Sequence, residues 1–171
     1  MNRVWLLGAD IDTDQIIAGR YSPYMTSEAS LAQYAFCEHR PDFAPNVRPG
    51  DVIVAGKNFG CGSSREYAPR ALKKCGIAAI IAPSFARIFF RNALNLGLPL
   101  FEVDLTGQLA DGDQVRLDLA ESQLETANGI LALPSPPDFV RQIQHDEVLL
   151  VTADCFGSTA RGPPLQAQVV A

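Results

Sequence analysis

Long apolar runs are missing from this chain: nowhere do about 18 consecutive apolar residues occur, so no membrane span is expected. Clustered positive charge is missing too. The net charge is −5 and the basic residues are scattered, which removes the electrostatic footprint of a nucleic-acid partner. Close cysteine pairs are absent. The four thiols, Cys37, Cys61, Cys75 and Cys155, include no Cys-x-x-Cys, so neither a disulfide framework nor a zinc site is expected. They also lack the close spacing of iron–sulfur ligands, and any such cluster must belong to another chain. The opening Met1-Asn2-Arg3-Val4-Trp5 enters strand-like residues without the apolar core of a signal peptide, which makes the cytoplasm the expected location. Internal repeats and a second domain are not evident. What is there is an ordinary globular chain of 171 residues, 47% apolar and 19% charged, long enough for one real core. A single domain over residues 1–156 is expected, with a loosely held tail over 157–171 that contains Pro163-Pro164.

The densest chemistry lies in Gly56-Lys57-Asn58-Phe59-Gly60-Cys61-Gly62-Ser63-Ser64-Arg65-Glu66. It follows the apolar Val52-Ile53-Val54-Ala55 and precedes a helix-like run over 68–74, so strand, glycine turn and helix are predicted in that order. Glycines at 56, 60 and 62 permit positive φ and close approach of a ligand to the backbone. A Ser at 63 with a Glu at 66 has capping-box spacing, which predicts Ser63 as a helix N-cap. Backbone N–H groups at a helix start suit an anion. Arg65 is badly placed for the helix dipole and better placed as a two-point clamp for a carboxylate or phosphate. A P-loop is excluded because Lys57 opens the motif instead of ending it. A nucleophile elbow is excluded because neither Ser63 nor Ser64 has glycine two residues to both sides. A tight structural turn, an anion site and a catalytic serine all stay open for this stretch. A thiol at a helix N-terminus has a lowered pKa, which singles out Cys61, but neither His39 nor His145 pairs with it locally. Cys75, near a helix end, is expected to pack as a small hydrophobe.

Elsewhere, Val4-Trp5-Leu6-Leu7 reads as a strand, and Asp10, Asp12 and Asp14 gather around Thr13 at a turn or helix start. An EF-hand is excluded there by the missing glycine and downstream Glu. The Gly19-to-Thr26 segment is a loop by its Gly and Pro, after which Ser27 is predicted to cap a helix to about residue 36. Pro69 predicts either a kink or a helix that begins there and ends at Gly76. Ile77-Ala78-Ala79-Ile80-Ile81-Ala82 reads as a strand covered on both faces, Ser84 as the cap of a helix ending near Gly97, and residues 98–103 as another strand. Such alternation predicts right-handed parallel crossovers. Arg87 and Arg91 share one helix face, read as solvated. Strand alternation at Val115, Leu117 and Leu119 precedes a hairpin around Asn128-Gly129, a Pro134-Ser135-Pro136-Pro137 connector and helical segments to about Val151.

Three blocks in order carry a family resemblance: Asp12-Thr13-Asp14-Gln15-Ile16-Ile17, Gly60-Cys61-Gly62-Ser63-Ser64-Arg65-Glu66 and Ser84-Phe85-Ala86-Arg87-Ile88-Phe89-Phe90-Arg91-Asn92-Ala93. Over residues 4–151 the chain resembles the swivelling domain of the aconitase superfamily, in the form of the separate small-subunit family of 3-isopropylmalate dehydratases. The resemblance implies an α/β fold, a three-layer β/β/α swivelling domain whose mixed sheet has parallel βαβ crossovers. It implies a hydro-lyase subunit that works on a hydroxy-dicarboxylate only together with a large iron–sulfur subunit. The [4Fe–4S] cluster is expected in that partner, with no metal bound by this chain. A homo-oligomer of the isolated chain stays open.

The resemblance further implies Ser63 as the catalytic base, Asp14 as an active-site acid, and Ser64, Arg65 and Gly62 as substrate-binding residues. The loop carrying Arg20 and Thr26 would help select the substrate's γ-substituent. Related chains often have a basic residue after a Tyr-Leu pair; Tyr24-Met25-Thr26 has none, and only Arg20 is near. Tyr67 stands where the family commonly has His. 3-Isopropylmalate in leucine synthesis leads as substrate, with homoaconitate, citraconate and a methylated malate open. A plain anion- or nucleotide-binding module and a non-catalytic interaction subunit are the rival readings from other classes.

Overall fold

The computed structural model describes residues 1–22 and 27–134. Thr26, the helical segments expected toward Val151, His145, Cys155, the boundary at 156 and the tail lie outside the described residues. Four strands run parallel: β1 (Asn2–Leu6), β2 (Val52–Val54), β3 (Ala79–Ala82) and β4 (Leu100–Glu102). Three more, β5 (Gln114–Asp118), β6 (Gln123–Thr126) and β7 (Gly129–Ala132), extend the sheet antiparallel from β1. The order is β4-β3-β2-β1-β5-β6-β7. Parallel neighbours need a crossover; α3 (Tyr67–Lys74) joins β2 to β3 and α4 (Arg87–Asn95) joins β3 to β4. Two short helices, α1 (Thr13–Ile16) and α2 (Phe43–Asn46), and 3-10 segments at Gly19–Tyr21 and Glu28–Tyr34 fill the long β1–β2 connection.

Side-chain alternation divides the core between the two faces of the sheet. Trp5, Ile53 and Ile80 point toward Ala68, Ala71 and Leu72 of α3 and Phe89 and Ala93 of α4. Val4, Val52, Val54, Ala79 and Ile81 point the other way, where Leu105, Leu109, Val115, Leu124 and Leu133 cover them. The antiparallel strands thus help close the face that the helices leave open, which yields helix, parallel and antiparallel layers. Burial on both faces is why Val52-Ile53-Val54 and Ala79-Ile80-Ile81-Ala82 are unbroken apolar runs. The β6–β7 hairpin turns at Ala127 and Asn128, with the Thr126 hydroxyl donating to the Gly129 carbonyl at 2.9 Å. No helix among the described residues is long and apolar enough to cross a membrane.

Three capping expectations fail, each for a physical reason. Ser63 does not start α3, whose N-cap is Glu66. Pro69 has no N–H and its ring would clash with a helical carbonyl four residues earlier, so Arg65 must stay outside the helix. Pro69 itself lies in the first turn of a helix that begins at Tyr67, two residues before the proline. Ser84 does not cap α4, which starts at Arg87; its hydroxyl instead accepts the Asn58 N–H at 2.9 Å. Ser27 precedes a 3-10 helix, not an α-helix, and its hydroxyl bonds to Ser30 Oγ. The capping box that does form is at Asp12 and Gln15: Asp12 accepts the Gln15 N–H at 2.7 Å and Gln15 Oε1 accepts the Asp12 N–H at 2.8 Å.

Polar contacts around Trp5 tie β1 to its neighbouring loops, with Asp51 buried and Asp111 partly exposed. Asp51, 2% exposed, accepts from the Arg3 N–H at 2.9 Å, Trp5 Nε1 at 3.0 Å and the Arg48 N–H at 3.0 Å. The guanidinium groups of Arg3 and Arg40 lie 4.0 and 4.7 Å from the Trp5 ring centroid. Arg40 also donates to both oxygens of Asp111, at 2.9 and 2.6 Å, and Asp111 accepts the Leu6 N–H at 2.9 Å. The Asp51→Ala variant leaves three donors unmatched and is expected to lose about 2–4 kcal/mol in urea unfolding; an unchanged midpoint would contradict this. Hydrogen bonds from Arg40, ahead of the opposing effect of burial, hold the Asp111 carboxyl below its usual range. Its stabilisation is therefore full above the unfolded carboxylate value of about 3.9 and is lost as pH falls through the lower folded value. Acid unfolding followed by circular dichroism should show a flatter pH dependence below about pH 4 in Asp111→Asn than in the wild type.

Candidate active site

The parallel pairing of β1 and β2 brings two loops together at the C-terminal ends of the strands, where α/β sheets place their sites. Hydrogen bonds continue past the strands: Gly56 N–H to the Gly8 carbonyl at 3.0 Å, Asp10 N–H to Lys57 at 2.8 Å, Gly60 N–H to Ile11 at 2.7 Å and Thr13 N–H to Cys61 at 2.9 Å. The buried Thr13 hydroxyl then donates to the Ser63 carbonyl at 3.0 Å. Gly60 takes φ +79°, and a Cβ there would run into the Phe89 ring, so only glycine fits. Gly62 takes φ +89° and turns the chain outward into the serines. A third loop joins through the Phe59–Phe85 bridge and the Asn58–Ser84 bond.

Ser63 and Ser64 are exposed, and among the described residues neither hydroxyl has a hydrogen-bond partner. The backbone N–H groups from Gly62 to Glu66 likewise find no acceptor among the described residues. Donors in succession beside a left-handed glycine form a concavity suited to an anion. These loop amides, not the helix start, are the donors nearest Ser63. The first turn of α3 offers little, because Ala68 already donates to the Arg65 carbonyl at 3.2 Å and Pro69 has no N–H.

Arg65 and Asp14 meet directly. Nη1 lies 2.7 Å from Oδ1, and Nη2 donates to Oδ2 at 2.8 Å. Asp14 Oδ1 also accepts the Gly19 N–H at 3.2 Å. Nη1 donates to the Tyr67 hydroxyl at 2.9 Å. The structure thus brings together Asp14, Gly62, Ser63, Ser64 and Arg65. Arg20 stands apart from that cluster in its bonding: it pairs with Glu38 and lies 5.2 Å over the Tyr21 ring, itself stacked on Tyr34. Three neighbours were not singled out as site residues from the sequence. Thr13 directly precedes Asp14, Tyr67 lies two residues after Arg65, and the small residue at Gly19 leaves the space that Arg65 fills.

Cys61 lies in a bridge to Asp12, well before the start of α3. Burial first, then the charges of Asp12 and Asp10, push its thiol pKa up. The lowered value expected from a helix N-terminus is thereby overturned, since the helix begins six residues later, at Tyr67. Burial pushes Cys75 up to about 12 and its Sγ lies 3.5 Å from the Ala32 carbonyl, so it packs as a small hydrophobe. Among the described residues, no three His, Cys, Asp or Glu gather as a metal ion would require. The described residues therefore do not fit an iron–sulfur cluster on this chain. Alkylation by iodoacetamide at pH 7, followed by peptide mapping, should label Cys61 more slowly than free cysteine. Faster labelling would mean an activated thiol.

A family model for the aconitase C-terminal domain matches residues 22–103. The 3-isopropylmalate dehydratase small subunit 1 of Deinococcus radiodurans is 52% identical over 142 residues, 83% of this chain and 80% of that one. The homoaconitase small subunit of Thermus thermophilus is 50% identical over 151 residues, 88% and 93% of the two chains. The crystal structure of 3-isopropylmalate dehydratase from Methanocaldococcus jannaschii superposes with a TM-score of 0.78 at 38% identity, covering 90% of this chain and 97% of that one. With its mixed sheet, its crossovers and its serine–arginine loop, the chain belongs to the aconitase C-terminal-domain family, in the branch of the 3-isopropylmalate dehydratase small subunits.

Proposed function

We propose that this chain, joined to a large iron–sulfur subunit in the cytoplasm, isomerises a hydroxy-dicarboxylate by loss and re-addition of water, with 3-isopropylmalate of leucine synthesis as substrate. One observation carries the site assignment: an exposed Ser63 hydroxyl and amides from Gly62 to Glu66 with no acceptor among the described residues lie in the same loop as a fixed cation, Arg65.

The hard task for this chain is removal of a weakly acidic C–H proton. Ser63 Oγ takes that proton as an alkoxide, stabilised by the loop amides and by Arg65 once water is excluded. Arg65 grips a substrate carboxylate and sets the carbon beside Ser63. Ser64 hydrogen-bonds the same carboxylate, and Gly62 lets it approach the backbone. Asp14 holds Arg65 in place. The partner's cluster would supply Lewis acidity for the departing hydroxyl.

Among substrates, the 52% identity to a 3-isopropylmalate dehydratase small subunit favours an apolar γ-substituent. The identity to a homoaconitase small subunit supports the second reading, homoaconitate.

In the reconstituted complex, Ser63→Ala should lower kcat by about 10²–10⁴ while the subunits still co-elute. Retention of most activity would remove Ser63 as the base, and unchanged carboxylate binding would leave an anion-binding module. Arg65→Lys keeps the charge but loses the planar fork, and should raise KM by about 10–100-fold.

A further inference from the structure

A guanidinium has five N–H donors fixed in one plane, so the neighbours that occupy some of them decide which edge is left for a ligand. Asp14 faces both terminal nitrogens of Arg65, Nη1 at 2.7 Å and Nη2 at 2.8 Å, and therefore takes the end of the fork. The Tyr67 hydroxyl accepts from Nη1 at 2.9 Å. Gly19 closes the same corner, where a Cβ would stand 2.6 Å from Nη1. By elimination, the free edge is the one formed by Nε and the outer hydrogen of Nη2, which has no acceptor among the described residues. Its two parallel donors match the two oxygens of a carboxylate.

We propose that Tyr67 is a positioning residue: with Asp14 it turns the Arg65 plane so that the Nε–Nη2 edge, not the end of the fork, receives the substrate carboxylate. This rests on the carboxylate-binding role given to Arg65 above. Without the hydroxyl, the guanidinium can rotate and Asp14 can slide onto the side edge, occupying the ligand's place. A neutral phenol is suited to the task because it accepts a hydrogen bond without cancelling the cation's charge; a second carboxylate would cancel it. Side-chain exposure agrees, with Arg65 at 20% and Asp14 at 53%, so the arginine is the enclosed member of the pair.

Two variants and two readouts test this. Nitrogen-15 NMR of the isolated chain, with Arg65 assigned by its loss in Arg65→Lys, should show slow rotation of the Arg65 guanidinium in the wild type and faster rotation in Tyr67→Phe. In the complex with the large subunit, Tyr67→Phe should raise KM about tenfold and change kcat by less than about twofold, the pattern of lost ground-state and transition-state binding together. Tyr67→His adds a titratable group beside the cation. Its KM should climb as pH falls through about 6.5, where imidazolium repels Arg65, a limb the wild type lacks. Unchanged guanidinium rotation, an unchanged KM in Tyr67→Phe, or a Tyr67→His pH profile that superposes on the wild type would each overturn the inference. Should the wild-type complex itself fail to turn over, the proposed function falls, and the rotation measurement still decides the role of Tyr67.

Discussion

The register of β1 against β2, Val4 beside Val52 and Trp5 beside Ile53, is the constraint on which the rest of the structure depends. It is strongly specified because a one-residue slip would swap Trp5 and Ile53 with the valines between two differently filled cores. Once set, it continues beyond the strands. The Leu7 N–H reaches the Val54 carbonyl at 2.8 Å, and successive loop contacts lead through Gly56, Asp10, Gly60 and Thr13 to the Ser63 carbonyl. The Arg65–Asp14 pair is the last rung of that ladder. A loop rich in glycine thereby becomes a defined surface, with its polar groups aimed outward.

That outward aim bears on the proposed chemistry. An alkoxide on Ser63 is tolerable only where water is scarce, yet Ser63, Ser64 and Glu66 are exposed in this chain. In the proposed complex the partner subunit would exclude the water, and the isolated chain should be inactive. Arg65 is less exposed and already held by Asp14, so in the proposed site the cation would be in place before the substrate, lowering the ordering cost of binding.

Much of this was legible from residue order, and the misses have definite causes. Unbroken apolar runs at 52–54 and 79–82 announce strands buried on both faces, and Asn128-Gly129 announces the β6–β7 hairpin, whose turn falls one residue earlier because Gly129 pairs with Thr126 in the ladder. The signature stretch is legible as strand, loop and helix because its glycines, serines and arginine are local in sequence. Ser63, Ser84 and Ser27 carry cap motifs without capping an α-helix, because a cap motif states only what a side chain can do locally. Pro69 overruled Ser63, and a bond from another loop claimed Ser84. The Asp12–Gln15 box had the same local signal but was hidden among three acids. Asp51 and Tyr67 were not legible as bonding partners, since their bonds to Trp5 and Arg65 depend on distances that only the fold sets. The thiol of Cys61 was misread for the same reason, because the helix that would have lowered its pKa starts farther on.

If the Ser63 oxygen removes the substrate's carbon-bound proton, as proposed, that proton should exchange with solvent deuterium in the complex reconstituted with the large subunit. NMR should show exchange in the wild type and its loss in Ser63→Ala with the substrate still bound. Exchange at the wild-type rate in that variant would contradict it.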